Sequence, residues 1–135
     1  LSVLVLDASV AIAWVLPSQS TPATQKLLAQ SDEYELAAPY IFVWEVGNQF
    51  VRFARRGLIY RDAMDNLDAL GIRLFAPASI DDILESGHGA LAAGLSLFDY
   101  AYLSLAVTLD APLASRDSGL LAACGALGAP FIDLR

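Results

Sequence analysis

Cysteine and histidine are almost missing from this chain of 135 residues: Cys124 and His88 are the sole examples of each. A single cysteine excludes an internal disulfide and fits a reducing cytoplasm. The small alanines around Cys124 mark a core position, not a catalytic thiol. A single histidine, in Ser86-Gly87-His88-Gly89 and remote in sequence from every candidate acid, leaves a three-histidine zinc site and a Ser-His-Asp relay without support. His88 reads as a surface residue. Positive charge is scarce too, with 8 Lys and Arg against 15 Asp and Glu and a net charge of −7. That balance argues against a generic nucleic-acid binder with a basic surface.

Long apolar runs are also lacking, despite 56% hydrophobic residues and a mean hydropathy of +0.52. Nothing approaches the ~20 uninterrupted apolar residues of a spanning helix. The best stretch, 90–109, carries Asp99 at its centre, a cost of roughly 2.5–3.5 kcal/mol for insertion, and no Lys or Arg flanks it. It reads as a buried helix of a soluble domain, with no membrane partner. No signal-peptide-like segment opens the chain. Its first residue is Leu1, which points to a trimmed start or an alternative start codon. No repeat, low-complexity tract or linker appears, so residues 1–135 are expected to form one domain.

What is present is an alternation. Short apolar runs bounded by turn signals predict parallel strands at 3–6, 72–75, 113–115 and 131–132, with a weaker one at 35–38 ended by Pro39. Helical patterning occupies 8–16, 21–30, 39–56, 61–70, 80–93, 98–109 and 118–127, with Gly57, Gly71 and Gly128 as stops. A helical hairpin thus falls between the second and third strands. The pattern predicts an α/β architecture with a parallel five-stranded sheet flanked by helices.

Four carboxylates interrupt this core-forming sequence. Asp7 closes Val3-Leu4-Val5-Leu6, and Glu45 follows Tyr40-Ile41-Phe42-Val43-Trp44. Asp99 lies in the 90–109 stretch, and Asp117 follows Pro112-Leu113-Ala114-Ser115-Arg116. Acids are rarely buried unless paired or bound to metal, so the four point to a shared cation site and to phosphate chemistry. Asp7 and Asp117 sit just beyond strands, on the edge where open parallel sheets bind ligands. Asp7, Asp99 and Asp117 each have a second reading as a helix N-cap, and Ser9 and Ser118 are rival caps for the first and last. Glu45, Asn48, Arg52 and Arg55 trace one polar helix stripe, which is either a solvent face or part of the site. Arg52, Arg55, Arg56 and Arg61 supply half of the eight basic residues within ten positions; a solvated face and contacts to phosphates are equal readings. Ser115, Arg116 and Asp117 place a hydroxyl, a cation and a carboxylate at a strand end, with Ser115 suited to hydrogen-bond a ligating acid or a bound water. Oxygen donors of this kind suit Mg²⁺ or Mn²⁺ and are poor for Zn²⁺. Trp14, Trp44, Tyr100 and Tyr102 read as core or interface residues.

Five segments in this order resemble PIN-domain proteins, and in particular the VapC toxins of bacterial and archaeal toxin–antitoxin pairs. They are Val5-Leu6-Asp7-Ala8-Ser9-Val10, Val43-Trp44-Glu45-Val46-Gly47-Asn48, Leu97-Phe98-Asp99-Tyr100-Ala101-Tyr102-Leu103-Ser104-Leu105-Ala106, Leu113-Ala114-Ser115-Arg116-Asp117-Ser118-Gly119-Leu120 and Gly128-Ala129-Pro130-Phe131-Ile132. Together they span nearly the whole chain. The resemblance implies a PIN domain and a metal-dependent endoribonuclease. It carries the acidic quartet onto Asp7, Glu45, Asp99 and Asp117, the hydroxyl position onto Ser115 and the polar helix position onto Asn48. It also implies a homodimer held inactive by a VapB-like antitoxin, with DNA contacted only through that antitoxin. The acidic net charge departs from what a broad grip on RNA calls for.

The resulting expectation is an Mg²⁺- or Mn²⁺-dependent endoribonuclease. Asp7, Asp99 and Asp117 would hold metal, and Glu45 would complete the shell or orient water. Ser9, Asn48 and Ser115 would support them, and Arg52, Arg55 and Arg116 would meet RNA phosphates. The alternatives are a catalytically silent PIN-like binding module and a stand-alone RNA-processing nuclease. A receiver-like phosphoacceptor domain ranks low, because it needs a lysine near its fifth strand and Lys26 is the sole lysine.

Overall fold

The apolar run that opens the chain becomes the middle of a sheet: Leu4, Val5 and Leu6 have no exposed surface at all, as expected of a strand covered on both faces. The computed structural model describes residues 1–57 and 61–135. Its strands are β1 (Ser2–Leu6), β2 (Tyr34–Pro39), β3 (Arg73–Phe75), β4 (Leu113–Ser115) and β5 (Phe131–Asp133). They form one all-parallel sheet in the order β3-β2-β1-β4-β5. The order reverses at β1, which pairs with β2 on one side and β4 on the other, so the ends of β1 and β4 flank a crevice. The expected α/β architecture with a five-stranded parallel sheet is therefore what the chain adopts.

The helices are α1 (Ala8–Val15), α2 (Pro22–Ala29), α3 (Ile41–Ala54), α4 (Arg61–Ala69), α5 (Ile80–Ala93), α6 (Leu97–Thr108) and α7 (Ser118–Leu127). Their starts follow from local chemistry. Asp7, Ser79, Ser96 and Asp117 each accept a backbone N–H of the first turn, and Thr21 and Thr24 form a capping box ahead of α2. Left-handed Gly94 and Gly128 close α5 and α7. Buried Tyr102, Leu103 and Ala106 bring α6 into the core, beside Val10 and Trp14 of α1 and Phe42, Val46, Phe50 and Phe53 of α3.

Two expectations change. Helix α3 does not begin at Pro39, because β2 runs through that residue and pairs it with Phe75. The ladder to β1 has already ended at Ala37, so proline's missing N–H interrupts nothing there. Nor is 90–109 one buried helix. It is the end of α5 and all of α6, bent by 98° across Gly94, in keeping with the separate helical segments expected at 80–93 and 98–109. Helix α5 is mostly solvent-facing, with Ala90 its one buried residue and Leu91 82% exposed. Its packing partner is α6, where Gly89 lies so close to Tyr100 that a Cβ would overlap the ring. Among the described residues, no single helix is long and apolar enough to cross a membrane. Trp14 is core, whereas Trp44 is 72% exposed and so is no core residue of this chain alone.

Candidate functional site

Asp7 is the best-supported acid in the molecule. It follows β1 directly, is 6% exposed, and caps α1 by accepting the Val10 N–H at 3.2 Å. Each of its oxygens also receives a serine hydroxyl. Ser9 Oγ donates to Oδ1 at 2.5 Å, and Ser115 Oγ, from the end of β4, donates to Oδ2. Both hydroxyls in turn accept backbone N–H groups from the loop after β4, Arg116 N onto Ser9 at 3.3 Å and Asp117 N onto Ser115 at 2.9 Å. Two amide dipoles are thus relayed through two hydroxyls onto one carboxylate. Burial pushes the Asp7 carboxyl above its usual range; the bonds from Ser115, Ser9 and Val10 oppose that rise, and nearby Asp117 adds to it.

The other acids arrive from three different elements. Asp117 caps α7, its Oδ1 accepting the Leu120 N–H at 2.8 Å. Asp99 is relieved of capping duty, because Ser96 is the cap of α6 and accepts the Asp99 N–H at 3.1 Å. Its carboxylate stays half-buried, and burial raises its pKa, with Asp117 adding to the rise. Glu45, on α3, is half-buried and accepts the Tyr102 hydroxyl at 2.5 Å through Oε1. Burial raises its pKa first, opposed by the bond from Tyr102 and reinforced by Asp99 and Asp7. Asp7, Asp99 and Asp117 thus each act electrostatically on another of the four acids, and Glu45 feels two of them.

All four line one cavity of about 320 Å³ at the carboxyl edge of the sheet. Ser9 and Arg116 line it with them, as do Gln19, Gln49 and Tyr102. Arg116 is half-buried and held by the Gln19 carbonyl at 3.1 Å; among the described residues, no carboxylate forms an ion pair with it. Ser115 is fully buried behind Asp7 and acts through it. Asn48 and Arg52 on α3, and Arg55 at its C-cap, are exposed and stand outside the cavity lining. The cavity-facing line of α3 is Glu45, Gln49 and Phe53, spaced four residues apart. Gln19, Gln49 and Tyr102 did not stand out as site residues in the sequence. For Gln49 there was a signal, since the apolar stripe Phe42, Val46, Phe50 and Phe53 places positions 45 and 49 together on its flank.

A larger groove of about 590 Å³ lies on the other side of α3, lined mainly by apolar residues such as Val43, Met64 and Leu74, with Asp65 and Asp68 among them. The acid-lined cavity is the better candidate for chemistry, since it gathers groups with raised pKa values and a cation at a sheet switch point.

The cavity fits a hard divalent cation in its donors, which are all oxygen. Among the described residues, however, no three Asp, Glu, His or Cys side chains close in tightly enough to cage an ion as they stand. Mg²⁺ does not require such a cage, because it keeps several waters and binds through one or two carboxylates plus a substrate phosphate. Carboxylates kept apart by mutual repulsion, and anchored by hydroxyls and backbone N–H groups, suit that mode.

Residues 4–126 match the PIN domain family. Ribonuclease VapC3 of Pyrobaculum aerophilum is 29% identical over 137 residues, an alignment covering 87% of this chain and 97% of that protein. The crystal structure of PAE2754 from Pyrobaculum aerophilum superposes with a TM-score of 0.71 at 21% identity, covering 96% of this chain and 89% of that one. The second likeness is one of fold.

Proposed function

Since this chain belongs to the PIN-domain family, we propose that it is a divalent-metal-dependent endoribonuclease, the toxin of a toxin–antitoxin pair, acting through the acid-lined cavity. One observation carries the chemistry: Asp7, Glu45, Asp99 and Asp117, from four separate segments, line a single cavity with Arg116. The similarity to a ribonuclease named VapC3 supports RNA as substrate and a VapB-like antitoxin as partner. On this reading residues 1–135 work as one PIN domain in the cytoplasm. The chain pairs with a second copy and meets DNA only through the antitoxin.

Asp7, Asp99 and Asp117 would hold Mg²⁺ or Mn²⁺ directly or through water, and Glu45 would complete the shell or orient the attacking water. When bound, the cation neutralises the repulsion between the RNA phosphate and the acids and lowers the pKa of a coordinated water. Ser9 and Ser115 oppose the burial-driven rise of the Asp7 pKa and keep its carboxylate correctly turned. Arg116, fixed by the Gln19 carbonyl, offers its remaining N–H donors to a phosphate oxygen. Arg52 and Asn48, exposed on α3, and Arg55 at its C-cap would contact the strand beyond the cavity.

Purified protein with labelled RNA tests the proposal. Internal cleavage in Mg²⁺ or Mn²⁺ that stops with EDTA is the expected result. A folded protein that cuts no RNA with either metal would establish the silent binding module instead. Arg116→Ala is expected to raise KM for RNA about tenfold while leaving kcat nearly unchanged, the pattern of a lost contact made equally in ground and transition states. An unchanged KM would remove Arg116 from the phosphate path.

A further inference from the structure

The geometry points to Tyr102 as a positioning residue that fixes the carboxylate of Glu45 inside the acid-lined cavity. The inference rests on reading that cavity as a cation site. Tyr102 lies three residues after Asp99 on α6, and its side chain is 1% exposed. Its hydroxyl donates to Glu45 Oε1 at 2.5 Å, and it feels the backbone N–H of Ala8, the residue next to Asp7. One phenol oxygen therefore ties α6 to α3, the helices that carry Asp99 and Glu45, beside the start of α1 that follows Asp7.

Glu45 needs such a tie. A glutamate side chain has three rotatable bonds, and ordering it costs up to about 1.5–2 kcal/mol in lost freedom. The negative charges of Asp99 and Asp7 also favour its swinging outward into water. The phenol opposes both effects. Its ring is locked in the core beside Leu103 and Ala106, so the hydroxyl cannot follow Glu45 outward. The bond occupies Oε1 and leaves Oε2 to the cavity that Glu45 lines.

Binding of Mn²⁺ to the full chain, measured by titration calorimetry, tests the inference across wild type, Tyr102→Phe, Glu45→Gln and the double variant. Phenylalanine keeps the ring in the core, and melting curves establish that each variant is folded. Tyr102→Phe is expected to weaken Mn²⁺ about tenfold and to lower kcat on RNA by a similar factor with KM kept. In the Glu45→Gln background the same change should have no further effect, because the group it positions is already gone. A role confined to stability would lower the melting temperature and leave Mn²⁺ affinity intact. Wild-type affinity in folded Tyr102→Phe, or a loss that adds in full to that of Glu45→Gln, overturns the inference alone. A wild-type chain that binds no Mn²⁺ overturns the cation site, and the inference with it.

Discussion

Asp7→Asn is expected to abolish the proposed RNA cleavage, by at least about a thousandfold, and to yield a chain that is folded and, without metal, more stable than wild type. The first half follows from position: Asp7 is the acid most enclosed by the protein, with both oxygens oriented by hydroxyls. The second half follows from its electrostatics. Burial holds the Asp7 pKa above its value of 3.8 in an exposed chain, so the fold favours the protonated carboxyl. Its stabilising contribution is complete below pH 3.8 and is lost as pH rises through the folded-state pKa. Glu45 and Asp99, also raised mainly by burial, act in the same direction. Metal-free wild type should therefore melt at lower temperature at pH 8 than at pH 5, and added Mg²⁺ should offset the loss. Asparagine keeps an acceptor for Ser9 and the Val10 N–H while removing the charge. The variant should gain about 1 kcal/mol at pH 8 and show a flatter dependence on pH. Melting in EDTA at the two pH values, beside a cleavage assay, checks both halves. Metal-dependent cleavage retained by Asp7→Asn would refute the site.

Ser115→Ala should cost about 3 kcal/mol of stability, an unusual sum for the loss of a single oxygen. The hydroxyl is fully buried and engaged in two bonds, donating to Asp7 Oδ2 and accepting the Asp117 N–H. Alanine leaves a carboxylate oxygen and a backbone donor unpaired, at about 1–3 kcal/mol each. It also removes the largest of the hydrogen bonds that restrain the Asp7 pKa, so the stability of this variant should fall more steeply with pH than that of wild type. Urea unfolding at pH 5 and pH 8 measures both effects. A loss below about 1 kcal/mol would mean that water replaces the hydroxyl and that β1 and β4 are not joined through it.

The backbone plan was legible because short apolar runs and their punctuation are local. Leu4 to Leu6 reads as a covered strand without reference to any partner, and Gly128 ends α7 as it would end most helices. The four acids were legible for the same reason, as charges set within core sequence. What could not be read was the phase of α3. A stripe through Glu45, Asn48, Arg52 and Arg55 and a line through Glu45, Gln49 and Phe53 both pass through Glu45, and only packing of the helix on the sheet selects the second. Long-range tethers were equally hidden. Tyr102 meets Glu45 across 57 residues and Ser115 meets Asp7 across 108, and residue type alone names neither partner. The exposed α5 misled in the opposite sense, since its leucines and isoleucines promised burial that the chain alone does not provide.

The placement of β4 beside β1 sets a clock on the ribosome. Asp7 is made before Ser115 and Asp117, and Ser115 follows it by 108 residues. At about 5–20 residues per second, roughly 5–20 s of translation separate the first acid from the last. During that interval the nascent chain holds an incomplete set of the four acids and no second serine to steady Asp7. Any chemistry that needs all four acids must therefore wait until Asp117 has been made.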